Sequence, residues 1–274
     1  EDGNSIYVTE QTPRFILSGN NFIDCGQEHN VITIDTTIAG IEGNTVQFNN
    51  EDETCRGLYL KSAGTYEVTD NTFILCKAAQ GGGIMFDNVN QKPGNETLIF
   101  SRNTFDSCIA TDTGCAMYLH VNLPPTFDDN NVDNCRHGTR IITVVFIKEI
   151  TEYVLSDFTF QNNEISNARG REDTGGSGFW IDNANNRPFD FTFRNVKFIE
   201  NTAVYAGGGF AFGSTQAYRS SKLYFDQCQF IDNRCKEELG GALWIGSEGD
   251  VVIDSCVFTN NKALGVHSYG GAIY

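Results

Sequence analysis

Paired carboxylates beside basic groups are the usual equipment for acid–base chemistry on sugars, and one stretch of this chain supplies the types. Asp128-Asp129-Asn130 is followed a few residues on by Arg136, His137 and Arg140. A hydrolase needs two carboxyls converging on one bond, and a lyase needs an Arg or Lys base beside carboxylates that hold Ca²⁺. These residues would serve only if the fold turned them into one groove; spread over a solvated turn they are ordinary loop charges. Elsewhere the chemistry thins out. Gly175-Gly176-Ser177-Gly178-Phe179 departs from a nucleophile elbow, because Phe179 stands where the second glycine is required. His29, His120, His137 and His267 are scattered singly, without metalloprotease spacing. The acidic stretches Glu51-Asp52-Glu53 and Glu172-Asp173 could offer oxygens to Ca²⁺, but neither an EF-hand loop nor a Gly-Gly-x-Gly-x-Asp nonapeptide is present. The expectation is no catalytic residue, no resident metal and no cofactor, with Ca²⁺ as a minor alternative. Asn95-Glu96-Thr97 is a glycosylation sequon.

What would have to position any such group is a repeat. Nine times an aromatic or Val is followed three residues later by Asn or Cys: Phe22/Cys25, Val46/Asn49, Phe73/Cys76, Phe105/Cys108, Val132/Cys135, Phe160/Asn163, Phe198/Asn201, Phe230/Asn233 and Phe258/Asn261. The anchors lie 24 to 38 residues apart, the length of one supersecondary unit stacked on its copies. Five and seven residues before the anchor stand apolar pairs such as Leu17 and Phe15 or Phe225 and Leu223, which is strand alternation. Two residues before it runs a column that begins Asn20, Asn44, Asn71, Asn103, Asn130 and then changes to Phe158, Val196, Cys228, Cys256. A glycine-led strand follows the anchor, as in Gly83-Ile84-Met85-Phe86 and Gly209-Phe210-Ala211-Phe212.

Helical repeats fail here, because Gly, Asn and Asp interrupt every few residues and the segments favour Val, Ile, Phe, Tyr and Thr. The columns fit a chain coiling about one axis. The expected fold is all-β: a single domain over residues 1–274 forming a right-handed single-stranded parallel β-helix, or solenoid, of about nine coils, the hand following from the rule for parallel crossovers. Asn at the turns would tolerate left-handed backbone and stack amide on amide. Paired glycines would mark a bend with unusual dihedrals or a close approach between coils. Phe160, Phe198, Phe230 and Phe258 should form an internal ladder, with Asn163, Asn201, Asn233 and Asn261 as its polar companion.

Phe198-Ile199-Glu200-Asn201 with Gly207-Gly208-Gly209-Phe210, Phe230-Ile231-Asp232-Asn233 with Gly240-Gly241-Ala242-Leu243, and Phe258-Thr259-Asn260-Asn261 with Gly270-Gly271-Ala272-Ile273 resemble the paired FxxN and GGA[ILV] repeats of chlamydial polymorphic outer-membrane proteins. The resemblance spans the chain but is clean only from about Phe160, since Cys25, Cys76, Cys108 and Cys135 replace the motif Asn earlier. It implies a surface-displayed or secreted adhesive passenger and carries over no catalytic residues.

Composition agrees with display rather than with nucleic acid. Thirty-five acidic residues against 19 basic give a net charge of −16, which repels polyanions and anionic membrane surfaces. The longest apolar run, Ile141 to Ile147, is far too short to span a bilayer. No signal peptide opens the chain, and its end inside a strand element suggests a piece of something longer. Nine cysteines leave at least one unpaired. In a stack, Cys228 with Cys256, and Cys108 with either Cys76 or Cys135, come within disulfide range. Parallel side chains in register are poorly aimed for bonding, so a buried thiol ladder is the competing reading.

Alternation along the glycine-led strand puts Leu58 and Leu60, Ile84 and Phe86, and Met117 and Leu119 inside, and leaves an outward column of Tyr59, Met85, Tyr118, Ile142, Trp180, Ala211, Trp244 and Tyr274. A solvated strand would show Lys, Thr or Glu there, so this stripe is the candidate binding surface. Cover by the chain's own loops or by a missing segment is the plain alternative; among ligands a protein partner or self-association is expected first and stacked sugar rings second. The leading function is thus an extracellular or cell-surface structural and adhesive solenoid, and the alternative is a polysaccharide-active enzyme with a groove on one sheet. The longest insertion, at 167–173 and 183–188, is expected to project as loops.

Overall fold

The computed structural model describes residues 5–25, 30–50, 54–61, 64–87, 97–136, 140–146, 152–161, 164–165, 179–182, 190–212, 222–237, 239–246, 249–266 and 268–274. Asn95, Asn163, His29, His137, the acidic stretches at 51–53 and 172–173, and the insertions at 167–173 and 183–188 lie outside them. Among the described residues every element is a β-strand and every pairing is parallel, coil on coil.

Each coil offers three principal faces, and in several coils a short fourth strand, such as Lys77–Gln80, Ile109–Thr113 or Thr202–Ala203, follows the anchor face. A glycine-led face forms a seven-stranded sheet of Ile6–Val8, Asn30–Ile34, Arg56–Leu60, Ile84–Asp87, Met117–Val121, Ile142–Phe146 and Phe179–Asp182. A second face is a five-stranded sheet that includes Thr65–Thr69 and Thr97–Ser101, followed by a four-stranded sheet that includes Asp190–Arg194 and Leu223–Asp226. The anchor face runs unbroken through nine strands, from Asn21–Ile23 to Val257–Thr259. The solenoid makes about seven turns, slightly fewer than the nine coils expected, and the anchor strands are the ones that stay in one unbroken sheet.

The core follows from alternation. Phe198 and Phe230 are fully buried and stack at 5.0 Å, Phe230 stacks on Phe258 at 4.7 Å, and Phe193 lies on Phe225 at 4.8 Å. In the earlier coils Phe73 stacks on Phe105 at 5.2 Å. Each such ring contributes about 1.5–3 kcal/mol on burial. Phe160 holds its place in the anchor register, paired with Val132 and Phe198.

The corners correct one expectation. Asn was expected to adopt the left-handed backbone itself, but the left-handed residue is the one before it. Among the described residues fourteen non-glycine residues have φ between 49° and 56°. They include Asp70, Arg102 and Asp129 before Asn71, Asn103 and Asn130, and Glu200, Asp232 and Asn260 before Asn201, Asn233 and Asn261. Such a conformation costs about 1–2 kcal/mol in an L-residue. It turns the next side chain inward, where ladder hydrogen bonds offset the cost. The amide Nδ2 groups of Asn20, Asn44, Asn71 and Asn103 donate to Oδ1 of the next Asn at 3.0–3.1 Å, ending on Asn130. Asn201, Asn233 and Asn261 form a second ladder at 3.1 and 3.0 Å. Each receiving Oδ1 also accepts a main-chain N–H from the coil before it, so a buried amide is fully engaged.

Both reasons for paired glycines hold, divided between the two residues. Gly207 has φ +55°, whereas a Cβ on Gly208 would lie 2.3 Å from the Gly241 carbonyl oxygen.

Candidate functional site

Main-chain register on the glycine-led face fixes which residues share the outward column. Tyr7 pairs with Thr33, Thr33 with Tyr59, Tyr59 with Met85, Met85 with Tyr118, Tyr118 with Thr143 and Thr143 with Trp180. The column read from sequence is thereby corrected at one rung. Ile142 pairs with Met117 and is fully buried; the register lies one residue from the one supposed, and Thr143 takes the outward place. The column also reaches back through Thr33 to Tyr7.

The stripe is not a continuous apolar band. Tyr59, Met85 and Tyr118 are half-buried and Tyr7 is exposed, but Thr33 and Thr143 are buried between them. The Thr143 hydroxyl lies 2.7 Å from that of Thr113. Ala211 and Trp244 belong to a separate two-stranded sheet, where Ala211 is buried and Trp244 half-buried. Tyr274 is exposed on the rung next to Trp244, through the Leu243–Ile273 bridge.

Charged groups flank the rings. The Arg56 guanidinium lies 5.3 Å from the centre of the Tyr59 ring and donates to the Gln80 and Gly81 carbonyls and to Asn30 Oδ1. Burial lowers the Arg56 pKa from its usual value and raises that of Tyr59. Lys61 places its ammonium 5.6 Å from the Tyr7 ring and 5.9 Å from the Tyr59 ring, a shared cation–π contact. One column further along the same strands, Asp87 pairs with His120, and their side chains meet at 3.2 Å, Nδ1 to Oδ1. Sequence reasoning stopped at the ring column and missed Lys61, Asp87 and His120. The signal was there: each lies two residues beyond Tyr59, Met85 and Tyr118, and therefore on the same face.

Among the described residues the carboxylate and arginine cluster is divided between the two ends of one anchor strand, Asn130–Asp133. Asn130 is built into the buried amide ladder, Asp129 is the left-handed corner residue, and Asp128 ends a strand of the second face. Arg136 follows the far corner of the anchor face, beyond Cys135. Among the described residues no group of three or more His, Cys, Asp or Glu side chains could hold a metal ion, and no helix is long and apolar enough to cross a membrane.

None of the nine cysteines is joined in a disulfide. Cys76, Cys108 and Cys135 stack behind the anchor strands, and each thiol donates to a main-chain carbonyl of the preceding coil: Val46 at 3.8 Å, Phe73 at 3.5 Å and Phe105 at 3.8 Å. Cys228 and Cys256 do the same to Phe193 and Phe225, both at 3.5 Å, while the Cys228 N–H donates to the Cys256 sulfur at 3.3 Å. Side chains aligned this way satisfy main chain as well as one another. Burial holds Cys76 and Cys135 well above the usual thiol range and pushes Cys115 and Cys228 up to about 12. At Cys108 burial works in the same sense, but hydrogen bonds from Cys135 and Cys76 outweigh it and lower the value.

No family model, no curated protein and no solved structure matches this chain.

Proposed function

We propose that this chain is a secreted or surface-displayed structural and adhesive β-solenoid, and that it engages its partner through the outward column of the glycine-led face. The observation that carries this reading is the presence of Tyr7, Tyr59, Met85 and Tyr118 on outward rungs of one sheet, where a strand serving only solvent would carry polar residues. The resemblance of its repeats to those of chlamydial polymorphic outer-membrane proteins points the same way, as does the acidic composition. A right-handed coil and an extracellular location belong to this reading. Buried thiols are compatible with it, because only Cys25 and Cys256 are partly exposed.

The test is adhesion by the folded protein. Beads coated with it should be retained on protein-coated or glycan-coated surfaces, and Tyr59→Ser with Tyr118→Ser should abolish retention while leaving the melting temperature nearly unchanged. Full retention by the double variant would remove the role from this face.

A further inference from the structure

The spacing of the rings on this face says what kind of ligand would fit it. Aromatic residues occupy alternate rungs, Tyr7, Tyr59 and Tyr118, and the rungs between and beyond them hold Thr33, Met85 and Thr143. Neighbouring parallel strands lie ~4.8 Å apart, so rings recur every ~9.6 Å along the solenoid axis. A protein interface wants a contiguous, dry apolar centre with polar groups at its rim. This face offers the opposite. Buried threonines interrupt the line at two rungs, and the cations of Lys61 and Arg56 lie beside the rings.

We propose that the face binds an extended, uncharged β-linked glycan laid along the solenoid axis, with every second sugar stacked on an aromatic rung. In such a chain successive sugars are turned over, so the same apolar C–H face returns at every second ring. That doubled period is what alternate rungs provide. Hydroxyls along the chain's edge meet Lys61, Asp87 and His120 in the adjoining column, a row that offers both donors and acceptors. Charge selects against the obvious competitor. A molecule with a net charge of −16 repels a polyanionic polysaccharide, whereas a neutral one meets a face whose charges carry both signs.

This inference rests on the reading of the face as the binding surface, and the experiment separates the two. The protein is titrated calorimetrically with cello- and chito-oligosaccharides of two to seven sugars, and with oligogalacturonates of equal length as the anionic control. Affinity should rise in steps with every second sugar added, about tenfold for each further ring engaged, and oligogalacturonates should not bind. Tyr59→Ala with Tyr118→Ala should lose at least about a hundredfold, while Tyr59→Phe with Tyr118→Phe keeps most of the affinity. Preference for the anionic chain, or affinity independent of length, would overturn the glycan assignment. If no oligosaccharide binds but the serine double variant still loses adhesion to protein-coated surfaces, the glycan is wrong and the face stands as an interface. Undiminished glycan binding by the alanine double variant would sink both.

Discussion

The first and second halves of the solenoid build the same two corners from opposite residues. In the early coils the corner entering the anchor face carries Asn44, Asn71, Asn103 and Asn130, and the corner leaving it carries Cys76, Cys108 and Cys135. In the late coils the entering corner carries Val196, Cys228 and Cys256, and the leaving corner carries Asn201, Asn233 and Asn261. The two residue types do one job. Asn103 Nδ2 donates to the Val68 carbonyl at 2.7 Å, and Cys228 Sγ donates to the corresponding Phe193 carbonyl at 3.5 Å. Asn233 Nδ2 donates to Phe198 at 2.8 Å, where Cys108 Sγ donates to Phe73 at 3.5 Å. Where these corners carry Asn or Cys, the short inward side chain gives one hydrogen bond downward; Val196, buried at the same corner, fills the space without one. What the neighbours in the column carry decides which type serves.

Asn49 shows what happens to an amide with the wrong neighbours. It falls between Cys25 and Cys76, its coil lacks the left-handed residue at that corner, and its side chain stays exposed on the Asp24 carboxylate at 2.7 Å. Phe48 fills the interior in its place. A ladder is thus a property of the column, not of a single residue.

The anchors are the part that the halves share, so they should respond alike. Phe198→Ala removes a fully buried ring from a stack of three and should cost about 3–5 kcal/mol, and Phe105→Ala, stacked on Phe73, should cost about the same. Denaturant unfolding of the two variants makes the comparison. A loss below about 1 kcal/mol for either would mean that its half is not held together by the anchor column.

Much of this was legible before any coordinates. The period, the strands, the parallel stacking and the inward anchors follow from alternation and the recurrence of Asn, because repeats display the same constraint nine times over. The corners were misread for a physical reason: Asn is known as a left-handed residue, whereas here Asp70, Arg102, Asp129, Glu200, Asp232 and Asn260 carry that strain so that the Asn after each can face inward. The ring column was legible except where register decides. Ile142 and Thr143 are adjacent and equally plausible by alternation, and only main-chain pairing with Met117 and Tyr118 tells which one points in. That Lys61 shares a face with the rings follows from its place two residues after Tyr59, but its lean over the Tyr7 ring two coils away does not follow from alternation.

Removing an amide from mid-ladder should cost less than removing an anchor, and the size of the loss tests whether a thiol can stand in. Asn103→Ala leaves the Asn71 N–H, the Val68 carbonyl and Asn130 Oδ1 each short of a partner, which should cost about 2–4 kcal/mol. Asn103→Cys restores a donor to Val68 and an acceptor for Asn71, and should lose less than half as much in the same unfolding measurement. Equal losses would show that sulfur and amide are not equivalent at a corner, and that the late coils use cysteine for some other reason.

The smallest expected effect is the most discriminating. Cys228→Asn alone puts an amide above the Cys256 sulfur, a poor partner for its N–H, and should destabilise by about 1–2 kcal/mol. Adding Cys256→Asn supplies the missing Oδ1 at the position from which Cys256 already accepts the Cys228 N–H. The double variant should therefore be within about 0.5 kcal/mol of the parent, less perturbed than the single one, and the coupling between the sites should be favourable by about 1 kcal/mol or more. A double-mutant cycle by denaturant unfolding measures that number directly. Simple additivity would mean that each corner chooses its residue independently, and that the change of residue between the halves is not governed by the column.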